Sequence, residues 1–393
     1  MQSNIAVIGG GIAGLCAALT LAQCGCRVEI FESSDALDDV GAGLQLSPNV
    51  TRLMNRIGIA EELDNMLAEP PHLSISSGTD LKTLGTIPMG AEARRRWHAP
   101  YGVIHRADLQ ALLAEAVHTQ PLCRLHLGRT FTAASEHELS QMLRDEMDAE
   151  PDLIIGADGV WSSMREFAPG AGKATFSGSI AWRGTAKPDA FEPLKCAENV
   201  NAFLAPNTHL VTYPLGQRGL VNAVAVTPGR PTARTWATAA ESRQLVELFS
   251  GWDARVTSAL EPILWQCWPL FEVRKTCFRA ATKTVLIGDA AHAMTPHAAQ
   301  GAAMAIEDAC ALAACFEAAD ARIERMLEIF EALRTNRIAR VRRRGDFNKF
   351  AYHAKGPFRL GRDIVFAMSS PEQLAASLDW LYGHDATVVQ DRR

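Results

Sequence analysis

Residues 285–301 combine side chains that can hold and position a cofactor. They read V-L-I-G-D-A-A-H-A-M-T-P-H-A-A-Q-G, with an apolar run at 285–287, Asp289 at the turn that follows, and a predicted apolar helix over 302–315. A carboxylate at such a turn accepts hydrogen bonds, and the start of a helix stabilises negative charge. The pattern predicts a strand, a loop and a helix start that hold one end of a polar cofactor.

The beginning of the chain predicts the element that holds the other end. A buried strand at 4–8, a glycine-rich turn, an apolar helix at 15–24 and a second strand at 27–31 make a complete βαβ unit. Glu32 follows the second strand, where a carboxylate can accept hydrogen bonds from ribose hydroxyls and repel a 2′-phosphate. A dinucleotide cofactor is therefore expected.

The glycines of this turn, G-x-G-x-x-G, each have a physical reason. Gly9 allows the tight turn, Gly11 lets the backbone approach a pyrophosphate, and Gly14 lets the helix pack closely on the strand. Ile12 and Ala13, in the turn that leads into the predicted helix, are expected to offer free N–H groups to the phosphates. All five positions are predicted to contact the cofactor.

The composition describes a globular protein with a large core. Of the 393 residues 48% are hydrophobic and 21% charged, and the formal net charge of −5 gives no electrostatic argument for nucleic acid as a partner. No apolar run predicts a membrane span. Nine dispersed cysteines lack metal-site spacing, so we expect no metal and a reducing cytoplasm. The basic run at 337–344 is expected to be a solvated helix face.

The order of elements predicts an α/β fold, in which a Rossmann-type cofactor domain carries an inserted mixed β-sheet substrate domain and C-terminal helices. Residues 176–230 alternate, are rich in Thr, Val and Trp, and are broken by Pro and Gly, as in a mixed sheet. The predicted segments are 1–71, 98–175 and 273–345 for the cofactor domain, 72–97 and 176–272 for the sheet domain, and 346–393 for the C-terminal helices.

Three motifs stand in a specific order along the chain. They are G-x-G-x-x-G at 9–14, G-A-D-G-x-x-S-x-x-R at 156–165, and G-D-A-A-H-x-x-x-P-x-x-x-Q-G at 288–301. Together they resemble the single-component, class A FAD-dependent aromatic hydroxylases, and the resemblance covers nearly the whole chain. The subgroup looks like salicylate hydroxylase, 3-hydroxybenzoate 6-hydroxylase and 6-hydroxynicotinate 3-monooxygenase. It implies FAD as cofactor, with NADH as a transient co-substrate and O2.

The resemblance also implies roles for single residues on the cofactor side. Arg106 contacts the FAD pyrophosphate, for which a planar cation is suited. Asp289 accepts a hydrogen bond from the ribityl chain. The positions implied around the flavin are Asp158, Pro296 as a wall of the ring, and the amides at Gly301 and Ala302. His292 is expected to pack near the flavin rather than to take part in chemistry.

On the substrate side, His209 and Tyr213 are four residues apart on a predicted strand and so share a face. The hydroxybenzoate and hydroxynicotinate hydroxylases have a His and Tyr pair at this spacing in the substrate pocket. His209 can take a phenolic proton near neutral pH, and Tyr213 can donate to a substrate oxygen. Resemblance also indicates His297 as a pocket residue. Gln45 and Arg183 are weaker candidates for substrate contacts, and Arg183 could attract either the substrate carboxylate or the phosphates of the nicotinamide cofactor.

The predicted activity is hydroxylation of a small phenolic or hydroxypyridine carboxylic acid through a flavin C4a-hydroperoxide. The oligomeric state is expected to be a monomer or homodimer. Two alternatives remain open at this point. A flavin epoxidase or monooxygenase acting on a larger, non-phenolic substrate would share all the FAD motifs. A non-catalytic binding protein of the same fold would need neither the 296–301 segment nor the pair His209 and Tyr213.

Overall fold

The structure is a computed structural model and describes residues 2–37, 42–168, 170–194, 196–230 and 238–389. The strands in this part, in chain order, are β1 (Asn4–Ile8), β2 (Arg27–Phe31), β3 (Gly43–Leu46), β4 (His72–Ser77), β5 (Thr83–Pro88), β6 (Gly102–His105), β7 (Cys123–His126), β8 (Leu153–Gly156), β9 (Thr175–Ala186), β10 (Val200–Ala205), β11 (Thr208–Leu215), β12 (Leu220–Pro228), β13 (Thr238–Ala240), β14 (Trp265–Glu272) and β15 (Thr284–Leu286).

The helices in the described part complete the inventory of elements. They are α1 (Ile12–Gln23), α2 (Pro48–Thr51), α3 (Met54–Ile57), α4 (Ala60–Met66), α5 (Ala91–Trp97), α6 (Arg106–Thr119), α7 (Glu136–Met147), α8 (Ser242–Leu248), α9 (Ala254–Leu260), α10 (Asp289–His292), α11 (Gly301–Ala318), α12 (Ile323–Tyr352), α13 (Pro357–Met368), α14 (Pro371–Ala376) and α15 (Asp379–Tyr382). Short 3-10 helices lie at Met164–Phe167, Pro188–Leu194, Gly216–Arg218 and Pro296–Ala298. None of the described helices is long and apolar enough to cross a membrane.

A five-stranded parallel sheet, in the order β15-β8-β1-β2-β7, forms the first layer. Val7 of the central strand pairs with Ile30 on one side and Ile155 on the other, and all three side chains are fully buried. Strands apolar on both faces are typical of a parallel sheet covered by helices. Here α1 packs between the sheet and α11, and the Thr20 hydroxyl is within 3.3 Å of the Ala309 carbonyl.

An eight-stranded mixed sheet, in the order β13-β14-β9-β12-β11-β10-β4-β5, forms the second unit. Its neighbouring strands are antiparallel except for β10 and β4. Its strands come from two separate stretches of sequence, 72–88 and 175–272. A separate apolar core, which includes Phe191, Phe249 and Trp265, packs against it. The predicted α/β fold class, with a parallel sheet and a separate mixed sheet, is confirmed, whereas the exact segment boundaries stay a prediction.

A two-stranded antiparallel sheet of β3 and β6 joins the two larger sheets. The Gly43 amide donates to the Asn222 side-chain oxygen at 2.9 Å, and β6 contacts β11. This link brings the strand that carries Gln45 against the mixed sheet. It therefore places part of the first sheet's domain beside the predicted substrate residues.

The basic run at 337–344 differs from the expected solvated helix face. Arg337 is buried and makes two hydrogen bonds to Glu307, of 3.0 and 2.6 Å, whereas Arg340 and Arg343 are exposed. Arg334, one turn earlier, is fully buried and pairs with Glu307 and Asp308. Helix α12 therefore presents cations inward, because α11 offers two buried carboxylates that need them.

Candidate active site

The three motifs meet at one edge of the parallel sheet. Strand β1 ends at Ile8 opposite Gly156 of β8, and Gly156 lies opposite Leu286 of β15. Since the carboxyl ends of parallel strands face the same way, the turns that follow them share one crevice. The nucleotide turn, the segment from Asp158 onward and the segment from Asp289 onward therefore line the same cleft.

The nucleotide turn contains two glycines that the fold requires and a third glycine that faces open space. Gly9 has φ +112°, and a Cβ there would lie 2.4 Å from the Ala157 carbonyl oxygen. A Cβ on Gly14 would lie 2.0 Å from the Gly9 carbonyl oxygen. A Cβ on Gly11 would meet nothing within 4 Å, and no side chain caps the start of α1. This open, uncapped helix start fits a pyrophosphate.

Glu32 holds the nucleotide turn as well as facing the cleft. One carboxylate oxygen accepts from the Gly10 amide at 2.6 Å, and the other accepts from the Ser34 amide at 2.9 Å and the Ser33 hydroxyl at 3.0 Å. Burial alone would raise the pKa of Glu32, but these hydrogen bonds hold it below its usual value. The carboxylate therefore stays ionised and has lone pairs left for ribose hydroxyls, the role predicted for it.

Asp158 caps the short helix Met164–Phe167 with one oxygen. That oxygen accepts from the Ser163 amide at 2.8 Å and the Met164 amide at 3.3 Å. The second oxygen, Oδ1, is buried and has no hydrogen-bond partner among the described residues. A buried carboxylate oxygen without a partner is costly, so this atom calls for a ligand or water in the cleft.

Asp289 and Arg106 stand close together at the starts of two helices, α10 and α6. The Asp289 side chain is exposed although many protein atoms surround it, as expected for a group on the wall of a cleft. These surroundings raise its pKa, while His292, Arg106, Arg165 and Arg183 act in the opposite direction. Burial lowers the pKa of Arg106, and Asp289 opposes that shift. Both predicted cofactor residues therefore face the same cleft.

Arg183 brings a second cation to this cleft from the mixed sheet. Burial lowers its pKa, and the like charge of Arg106 lowers it further, while Tyr213 and Asp289 raise it. Its guanidinium lies 5.2 Å from the centre of the Trp268 ring. It has no hydrogen-bond or ion-pair partner in the part of the chain that the structure describes. A half-buried cation without an anionic partner fits an anionic group of a ligand.

The start of α11 is held open by a polar network that the sequence did not reveal. Gln300 donates to the Ser47 hydroxyl at 2.9 Å and accepts from the Asn49 amide at 3.2 Å. Asn49 also donates to buried Glu307 at 2.7 Å. A Cβ on Gly301 would meet nothing within 4 Å, and no side chain caps this helix. Together with Ala302, Gly301 therefore offers amides to a group approaching beside Pro296.

His292 lies inside the protein rather than in the cleft. It is 1% exposed, and its Nε2 is 2.6 Å from an Asp308 oxygen that also accepts from the Gly288 amide. Its ring packs against Phe278. His292 therefore packs in the interior, whereas its nearness to the flavin stays a prediction.

Three histidines form one cluster on the substrate side. His209 Nδ1 is 2.8 Å from His353 Nε2, and the ring centres of His209 and His297 are 5.4 Å apart. His209 and His297 are 4% and 3% exposed. Burial lowers the pKa of all three rings, to about 3 for His297 and about 4 for His353. The sequence pointed to His209 and His297 but had no signal for His353, which follows a long helix in a segment without a motif.

His209 and His297 present unpaired ring nitrogens. Both nitrogens of His297 are buried without a partner among the described residues. Nε2 of His209 has no hydrogen-bond partner there either, but this atom is not enclosed and retains accessible surface. These atoms can accept a proton or donate a hydrogen bond to a ligand that enters between them.

Tyr213 and Gln45 form a supporting edge of this pocket. The Tyr213 hydroxyl donates to the Gly43 carbonyl at 2.6 Å, and burial raises its pKa. Gln45 accepts from the Tyr101 hydroxyl at 2.7 Å. The Tyr213 proton is therefore committed to the backbone of β3, so donation to a substrate would require a change of partner. Direct substrate contact by either residue stays a prediction.

The comparisons with known proteins agree with this geometry. The chain matches the family model of the FAD binding domain over residues 2–344. It is 33% identical over 396 residues to a 3-amino-4-hydroxybenzoate 2-monooxygenase of Streptomyces platensis, covering 100% of this chain and 98% of that one. It is 31% identical to a 3-hydroxybenzoate 6-hydroxylase of Aquipseudomonas alcaligenes, covering 98% of each chain.

The fold also resembles a solved structure, a salicylate hydroxylase substrate complex. The TM-score is 0.78 at 23% identity, covering 100% of this chain and 99% of that one. The open glycines Gly11 and Gly301 and the unpaired Asp158 oxygen fit a bound dinucleotide. The predictions of an FAD-dependent monooxygenase family and of FAD as the cofactor are confirmed. The chain belongs to the FAD-dependent aromatic hydroxylases.

Proposed function

We propose that the protein hydroxylates a small phenolic or hydroxypyridine carboxylic acid, with NADH and O2 as co-substrates. One observation carries the proposal. The strand register puts Arg183, which lacks an anionic partner among the described residues, on the same face of the mixed sheet as His209, whose accessible Nε2 lies beside the unpaired ring of His297. A hydroxylated aromatic acid has a phenolic proton that His209 can accept and a carboxylate that Arg183 can bind.

His209 acts as the base in this proposal. A phenolate is more electron-rich than a phenol, so removing the proton prepares the ring to receive an electrophilic oxygen. Burial, with His297 and His353 alongside, lowers the pKa of His209 well below its usual value, so the imidazole rests in the neutral form that can accept a proton. His297, also neutral, contributes a hydrogen bond that orients the substrate.

The residues of the cleft contribute to oxygen transfer by stabilising negative charge. FAD held in this cleft would supply the redox chemistry, with electrons from NADH and with O2 as the oxidant. The uncapped amides at Gly301 and Ala302 stabilise negative charge that reaches the start of α11. The Gln300 network, tied to Ser47 and Asn49, holds these amides in place.

The test is a substrate panel scored by product rather than by NADH consumption alone. The purified, FAD-loaded protein is given NADH with 3-hydroxybenzoate, 3-amino-4-hydroxybenzoate, 6-hydroxynicotinate or salicylate, and products are identified by mass spectrometry. Hydroxylated product from at least one acid supports the proposal. Epoxide from an alkene, with no product from these acids, would favour the epoxidase alternative. FAD-loaded protein that never oxidises NADH would favour a binding protein.

Arg183 provides a sharper prediction about the substrate's carboxylate. Arg183→Met should lower the binding affinity for 3-hydroxybenzoate about tenfold to a hundredfold, because a hydrogen bond to a charged group contributes about 1.5–3 kcal/mol to binding. Binding of 3-hydroxybenzamide, which has no carboxylate, should change little. Arg243→Met, at an arginine that is 84% exposed, is the control. The titration follows the flavin absorbance. Equal weakening of the acid and the amide would remove the carboxylate assignment.

We propose a cytoplasmic location, and the observation that supports it is chemical. The nine cysteines are all unpaired, and six of them are buried. Unpaired thiols persist in a reducing compartment. Fractionation of the native host with an antibody to this protein tests the location, and recovery from an extracytoplasmic fraction would argue against it.

A further inference from the structure

We infer that His353 is a proton-relay residue, which carries the substrate's proton from His209 to solvent. The inference rests on the proposed function, because it concerns how the phenolic proton leaves the pocket. It adds a residue with no motif, at the end of α12, to the substrate side of the site. The geometry that supports it is the alignment of the two rings, nitrogen to nitrogen.

The two imidazoles form a continuous path. His209 Nδ1 lies 2.8 Å from His353 Nε2, which is hydrogen-bonding distance, so a proton is shared between them. At the inner end, His209 Nε2 has accessible surface and no partner among the described residues. At the outer end, His353 is half-buried. Its Nδ1 has no hydrogen-bond partner among the described residues, and this atom is not enclosed. The path therefore connects the pocket with solvent.

A path is needed because His209 is a poor place to keep a positive charge. Its side chain is 4% exposed and lies among neutral rings, with no carboxylate bonded to it among the described residues. The titratable groups that face His209 and His353 are the neutral His297 ring from the turn before α11, the Lys349 ammonium from α12 and the Tyr352 phenol. None of these would stabilise an imidazolium, so the proton must move on.

The relay balances as three proton transfers. The substrate O–H bond breaks and its proton goes to Nε2 of His209. The Nδ1–H bond of His209 breaks and that proton goes to Nε2 of His353. The Nδ1 proton of His353 then leaves to water, so one proton enters and one leaves while the pair keeps its charge. Both rings end as the opposite tautomers. When a proton returns from His209 to the product oxygen, the same transfers run in reverse and restore the starting tautomers.

The backbone at His353 is fixed independently of its ring, so the ring can be changed without moving the helix end. Its amide donates to the Lys349 carbonyl at 3.2 Å, and its carbonyl accepts from the Asn207 amide at 3.4 Å. His353→Gln keeps a hydrogen-bonding side chain beside His209 but cannot pass a proton from one atom to another. His353→Ala leaves room for free imidazole. His118→Gln, at an exposed position on α6, is the control.

The experiment measures proton release when the oxidised, FAD-loaded protein binds 3-hydroxybenzoate or 3-amino-4-hydroxybenzoate, using stopped flow and a pH indicator. His353→Gln should bind within about threefold of wild type but release the proton about a hundredfold more slowly, the lower end of general acid–base effects. Free imidazole should restore the rate in His353→Ala in proportion to its concentration. A purely structural role would not produce that rescue.

The outcomes separate the relay from the proposed function. Proton release from His353→Gln at the wild-type rate, or failure of imidazole to rescue His353→Ala while both variants bind the probes, would overturn the relay. No release from wild type with either probe would also overturn it. Hydroxylation by wild type under NADH and O2 is assayed in parallel. Normal proton release without hydroxylated product would instead count against the proposed function and leave the relay standing.

Discussion

Replacing Gly11 by alanine should weaken FAD binding while leaving the protein folded. Gly11 has φ −76° and ψ −179°, an extended conformation that alanine adopts without strain, and the added Cβ would meet nothing within 4 Å. The folded protein therefore has room for the methyl group. The methyl group would, however, occupy the volume that the pyrophosphate needs, because the backbone approaches the phosphates at this glycine.

The magnitudes follow from these two facts. Stability without FAD should change by less than about 1 kcal/mol, because alanine reduces unfolded-chain entropy but caps a helix less well than glycine. With FAD, the methyl group keeps the phosphates from the amides of α1. Each hydrogen bond to a charged phosphate that is lost costs about 1.5–3 kcal/mol, and every 1.4 kcal/mol is about tenfold in affinity. We expect FAD affinity to fall at least about tenfold.

Gly14→Ala is the matched comparison. Its Cβ would lie 2.0 Å from the Gly9 carbonyl oxygen and 3.1 Å from the Val7 side chain, so the backbone must shift. Overpacking of this kind costs about 1–3 kcal/mol or more, and stability and FAD affinity should fall together. Urea unfolding of the FAD-free proteins and flavin fluorescence titrations measure the two quantities. Wild-type FAD affinity in Gly11→Ala would refute the placement of the pyrophosphate at this turn.

Two further predictions concern buried charge. Arg334→Met should lower the free energy of unfolding by about 3–5 kcal/mol, because it leaves Glu307 and Asp308 without a fully buried cationic partner. Urea unfolding should show no such loss for Arg343→Met at an exposed position of the same helix, and equal losses would contradict the reasoning. His297, with a pKa of about 3, stays neutral in the folded protein, whereas an unfolded histidine binds a proton below about pH 6.5. The unfolded state then binds more protons, so His297 should cost stability as pH falls from about 6.5 towards 3, by about 1.4 kcal/mol per pH unit, and a His297→Gln curve parallel to wild type would refute this.

The motifs near the carboxyl ends of strands could be predicted from the sequence because each is local. The nucleotide turn, Asp158 and Asp289 follow short apolar strands, and parallel strands bring such turns to one edge whatever lies between them. The alternating segment after residue 175 likewise predicted a mixed sheet. These features depend on the period of the sequence and on turn chemistry, which a single chain displays.

What the sequence could not supply were partners that meet only in the folded protein. His353 bonds to a residue 144 positions away, and nothing in its neighbours marks it. Arg337 looked like part of a solvated face because its partner, Glu307, lies on another helix. The commitment of the Tyr213 proton to Gly43 depends on how β3 meets the mixed sheet. Pairings of this kind follow from tertiary packing and leave no periodic trace.

The central claim is that the protein places an oxygen atom from O2 on the ring of an aromatic hydroxy acid. The most direct measurement is turnover of 3-hydroxybenzoate, 3-amino-4-hydroxybenzoate, 6-hydroxynicotinate and salicylate under isotopically heavy O2, with product and NADH both quantified. We predict one heavy oxygen atom in the hydroxylated product of at least one acid, formed in step with NADH oxidation. NADH oxidation that yields only hydrogen peroxide with every acid, or product oxygen that comes from water, would contradict the account.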